Sequence, residues 1–94
     1  MHETAKMNAA GKFDDERWFE LFNRHDPCGL IACGAPRDEY LSEIAAVSSA
    51  IGACKTEDEV RDLVWTTFVK YNGSAFPVQS SCFDLASELW RILH

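Results

Sequence analysis

The chain has 94 residues, 47% apolar and 12% aromatic, which is the composition of one folded domain and argues against a disordered chain. Nine Lys plus Arg face fifteen Asp plus Glu, a formal charge of −6, and the basic residues are scattered from Lys6 to Arg91. Such a surface repels the phosphates of nucleic acid and of anionic membranes, and no apolar run approaches the roughly 20 residues of a membrane span.

Residues 1–12, MHETAKMNAAGK, read as a disordered tail without the apolar stretch of a secretory signal, and residues 13–94 as a single helical domain. The first helix is expected over Asp14 to His25, with Trp18, Leu21 and Phe22 on one stripe and Phe19 beside it. Asp14, Asp15 and Glu16 occupy its opening turn, where carboxylates meet the positive end of the helix dipole. Asp26-Pro27 ends it, because a residue before proline is pushed out of the helical region. The stretch 26–36, DPCGLIACGAP, reads as an ordered loop tucked against the core by Leu30 and Ile31.

A second helix is expected to start near Pro36, with Asp38 and Glu39 in its first turn. Tyr40, Ile44, Val47 and Ile51 form its buried stripe, Leu41 and Ser48 flank it, and Gly52 marks its end. Thr56 followed by Glu59 is a capping box that opens a third helix. Val60, Leu63, Val64, Thr67, Phe68 and Tyr71 follow at helical spacing, and Asn72-Gly73 supplies the stop. After a loop over residues 74–79, a fourth helix begins at Ser80 or Ser81 and buries Phe83, Ala86, Leu89, Trp90 and Leu93. The fold expected is all-α: a compact bundle of four helices with an ordered Gly/Pro loop between the first two.

Candidate chemistry is sparse. Cys28 and Cys33 form one loose pair near His25, while Cys54 and Cys82 stand alone. A structural zinc site shows repeated, tighter pairs, so small apolar thiols are expected, kept free in a reducing cytoplasm. Asp38, Glu39 and Glu43 open the second helix with Asp26 across the loop, a set that can hold a divalent cation or act as an acid–base pair. Their spacing matches no calcium loop, and the chain has no phosphate cradle, Gly-x-Ser-x-Gly elbow or His-Glu-x-x-His pair. No enzyme activity and no cofactor are expected.

Three stretches carry a resemblance: His25-Asp26-Pro27-Cys28-Gly29-Leu30, then Gly34 to Tyr40 with Glu43-Ile44, then Cys82 with Ala86-Ser87-Glu88-Leu89-Trp90. Together they resemble a group of small bacterial helical domains of uncharacterised function. That group's pattern is Trp-Asp-Pro-x-Gly, a short loop, Asp-Glu-Tyr and a later Glu, then a Cys before Ala-x-Glu-Leu. The resemblance runs from about Trp18 to Leu93 and departs at His25, where Trp is common. It implies a compact helical fold, no established catalytic residue, and an association with immunity-type partners that neutralise a toxin. Within it, Asp26, Pro27, Gly29, Asp38, Glu39 and Tyr40 read as a lock that sets the path of the loop, with Asp38 or Glu39 accepting backbone N–H groups.

The functional expectation is a non-catalytic, immunity-like or antitoxin-like module. Its Glu57, Asp58, Glu59 and Asp62, with Asp14, Asp15 and Glu16, would meet a basic protein. The same charge also serves solubility alone. Two rivals stand beside it. One is a metal-binding or enzymatic domain using Asp26, Asp38, Glu39 and Glu43. The other is a homo-oligomeric structural domain that buries an aromatic patch drawn from Phe13, Phe19, Trp65 or Phe76.

Overall fold

The computed structural model describes residues 15–93. The tail expected over 1–12, Phe13, Asp14 and the side chain of Asp15 lie outside that description. Four α-helices are found among the described residues: α1 (Asp15–His25), α2 (Leu41–Ala50), α3 (Glu57–Asn72) and α4 (Gln79–Leu93). None of them is long and apolar enough to cross a membrane. The antiparallel pair α3 and α4 forms the most extensive contact, α2 packs on α3, and α1 packs on α4 and α2.

In α1, Trp18, Leu21 and Phe22 are fully buried and Phe19 lies against the core, as the spacing predicts. The helix ends at His25 because Asp26 turns into the left-handed region at φ 46°, its N–H still bonding the Phe22 carbonyl at 2.8 Å. Aspartate is one of the few side-chain-bearing residues that tolerates this conformation, since its short carboxylate can bond locally.

The start of α2 differs from expectation. Pro36 opens a pair of tight turns, with the Glu39 N–H donating to Pro36 (3.0 Å) and the Leu41 N–H to Asp38 (3.1 Å), and the helix begins only at Leu41. Tyr40, at φ −95° and ψ 19°, is fully buried, and its ring and hydroxyl are both held by tertiary partners. Those partners fix it at the helix boundary. Asp38 and Glu39 therefore precede the helix and are exposed, and Glu43 is the acid of its first turn. Ile44, Val47 and Ile51 are buried as expected, and so is Ser48, whereas Leu41 is exposed. A short 3-10 turn, Ile51–Ala53, closes the element.

The capping box forms: Thr56 Oγ1 accepts the Glu59 N–H at 3.1 Å. Glu59 reaches back one residue further than the motif requires, accepting the Lys55 N–H at 2.5 Å. Val60, Val64, Thr67 and Phe68 are buried, Leu63 only partly, and Tyr71 is exposed. Gly73, at φ 84°, ends the helix with its N–H on Val69 at 2.8 Å, a backbone state that favours glycine.

The inward stripe of α4 is rotated from the expected one. It consists of Cys82, Leu85, Ala86, Leu89 and Leu93, while Phe83 and Trp90 are only half-buried at its margins. Those five side chains fill the interior beside α3, and the two wide rings lie at the edges. Phe68 is the hub of the core, stacked 6.0 Å from Phe22 and edge-on to Tyr40 at 5.5 Å, so it joins α1, α2 and α3.

Phe68→Ala should therefore lower the unfolding free energy by about 3–5 kcal/mol, read from the urea midpoint, and Thr56→Ala by about 1 kcal/mol. A Phe68→Ala loss no larger than that of Thr56→Ala would show that the aromatic hub is not central.

Candidate functional site

The loop after α1 is organised by Asp26. Its Oδ1 accepts the Ile31 N–H and its Oδ2 the Ala32 N–H, both at 3.0 Å, and Oδ1 also accepts the Tyr40 hydroxyl at 2.5 Å. That hydroxyl in turn accepts the Cys28 N–H at 3.2 Å. The buried Pro27 offers its carbonyl to the Val78 N–H at 2.8 Å, tying the loop to the α3–α4 connection. Partial burial pushes the Asp26 carboxyl upward, but the hydrogen bonds from Tyr40, Ile31, Ala32 and Leu30 outweigh it and hold it below the usual value. Burial, reinforced by the bond to Asp26, pushes the Tyr40 phenol up.

The other carboxylates that the sequence groups with Asp26 are dispersed. Asp38 and Glu39 are exposed, and it is Asp26, not they, that accepts the loop N–H groups. Glu43 is buried under α3, where it accepts the Asn72 amide at 2.9 Å. No three His, Cys, Asp or Glu among the described residues come together in a way that could hold a metal ion. All four cysteines are free. Burial, with Glu43, Asp26 and Glu39 adding, pushes the Cys28 thiol up to about 11; burial, with Cys28 adding, takes Cys82 to about 12. Burial also raises Cys54. Thiols shifted this way are poor nucleophiles near neutrality.

His25 bonds neither cysteine. Its Nε2 lies 2.7 Å from Glu88 Oε1, while Arg24 donates to Glu88 Oε2 at 2.8 Å, so one α4 carboxylate clamps the end of α1. The hydrogen bond from Arg24 depresses Glu88 most; partial burial opposes it and His25 adds to it, leaving the carboxyl at about 2. Nothing at short range in the sequence points to this clamp, since its partners lie 63 and 64 residues apart.

The acidic residues proposed to meet a partner divide into two groups. Glu16 pairs with Arg37, whose guanidinium also covers the Phe19 ring at 4.8 Å. Glu57 accepts the Ser87 hydroxyl at 2.7 Å, and Glu59 serves the α3 cap. Asp58, 84% exposed, and Asp62 remain on the surface. These two line an open groove of about 260 Å³ between α3 and α4, together with Arg61, Trp65, Gln79 and Phe83. Arg61 lies over the Phe83 ring at 5.9 Å and 3.1 Å from Asp58. Of the groove residues, the sequence pointed to Asp58 and Asp62 as partner-facing acids and to Trp65 only as part of a self-association patch. Arg61 and Gln79 carried no signal, and Phe83 was missed because its spacing placed it in the core.

The chain matches no protein-family model, no curated protein and no solved structure. The functional reading therefore rests on the chain's own surface.

Tyr40→Phe leaves the Cys28 N–H buried without its acceptor and should cost about 2–3 kcal/mol in chemical denaturation. Glu88 is depressed in the folded state, so the stability it adds is present above its unfolded value of 4.5 and is lost as pH falls toward about 2. Arg24 is half exposed, so screening reduces this contribution to on the order of 1–2 kcal/mol. Glu88→Gln should lower stability at neutral pH by that amount and flatten the acid limb in this window. An unchanged limb would place the acid sensitivity elsewhere.

Proposed function

We propose that this chain is a non-catalytic protein-binding module whose α3 face meets a basic partner, in the manner of an immunity-like or antitoxin-like protein. The observation that carries the reading is the groove itself. Solvent-facing Asp58 and Asp62 flank half-buried aromatic rings, whereas the other α3 acids are used within the fold. Half-buried aromatic rings supply contact area at little entropic cost, and exposed carboxylates steer a basic surface into place. The formal charge of −6 extends that steering over the whole chain.

The test is affinity capture from extract of the source cells, followed by reconstitution with the purified captured protein. A basic protein should bind in fixed stoichiometry, more weakly as salt rises, and Asp58→Lys with Asp62→Lys should abolish the complex. Recovery of no basic partner, or a complex indifferent to this double reversal, would overturn the reading.

A further inference from the structure

The groove between α3 and α4 already holds one cation of the chain's own. The Arg61 guanidinium covers Phe83 and pairs with Asp58, so one aromatic wall and one carboxylate are matched. The same groove contains a second such pair, Trp65 and Asp62, three residues apart on α3 and therefore on one face. Asp62 uses its backbone carbonyl for Thr66, and no side-chain bond joins its carboxylate to another described residue.

We propose that Trp65 and Asp62 form a second cation seat, filled by an arginine side chain of the basic partner; this rests on the protein-binding reading above. The seat repeats the chemistry that Arg61 already shows beside it. A guanidinium is planar, so it stacks on the indole face while its N–H fork reaches the carboxylate, a combination that a lysine ammonium does not reproduce. The volume of about 260 Å³ accommodates one long side chain, and Gln79 at the rim adds an amide able to donate or accept. Charge favours the same occupant, because Arg61 balances Asp58 and leaves the Asp62 carboxylate unmatched in the groove, on a chain of net charge −6.

The full chain, labelled with ¹⁵N, is titrated with a short end-capped peptide containing arginines and with its lysine counterpart of equal charge. The Trp65 indole N–H resonance, assigned with Trp65→Phe, is the readout. The arginine peptide should move this resonance and the amides around the groove, and Asp62→Asn should weaken binding roughly two- to five-fold, as should the change to lysine. No movement at millimolar peptide, an Asp62→Asn titration like that of the wild type, or equal response to lysine would overturn the seat. Asp62 is exposed, and a thermal melt of Asp62→Asn verifies that the fold is intact. The two readings separate cleanly. If a partner is captured and Asp62→Asn with Trp65→Leu leaves its affinity unchanged, the seat fails and the module stands. If no partner is captured but arginine still moves Trp65, the module fails and a guanidinium site remains.

Discussion

The contact between Asp26 and Tyr40 is the constraint on which most of this structure depends. The Asp26 backbone terminates α1, and its carboxylate receives two backbone N–H groups of the following loop and the hydroxyl of the residue that precedes α2. Because the tyrosine ring is edge-on to Phe68, the same contact sets how the first two helices approach α3. A loop rich in glycine and proline cannot satisfy its own buried N–H groups by regular pairing, so a central acceptor replaces the missing secondary structure. Placing that acceptor at the helix end lets one residue serve as stop signal and loop organiser together.

The remaining buried or half-buried acids follow a similar logic. Glu43 joins α2 to the end of α3 through Asn72, Glu88 joins α4 to the end of α1 through Arg24 and His25, and Glu57 joins α3 to α4 through Ser87. Each joins two helices that share core surface, where a polar bond fixes the relative register that non-directional apolar packing leaves loose. In a small domain these bonds supplement a modest core. The acidic composition of the chain is therefore split between holding helices together and facing solvent, and two of the solvent-facing acids, Asp58 and Asp62, line the α3–α4 groove.

Helix content was legible because its signals are local. The apolar period of Trp18, Leu21 and Phe22, the Thr56 cap and the Asn72-Gly73 stop act within a few residues of one another, and each appears where the spacing puts it. The acidic stretch of α3 was equally plain. Less plain was which of its acids remain available, since Ser87 and the Lys55 backbone claim two of them across or before the helix.

The sequence by itself determined four helices, their approximate limits and most of the buried faces, because periodicity, caps and breakers depend on neighbouring residues. Tertiary structure alone decided that α2 starts at Leu41, that Asp26 and not Asp38 or Glu39 accepts the loop, and that Phe83 borders a groove instead of the core. Each of these outcomes turns on a partner many residues away or on the rotation of one helix against another. Such choices are made by packing and by the pairing of buried polar groups, which act through space and leave no mark at short range in the chain.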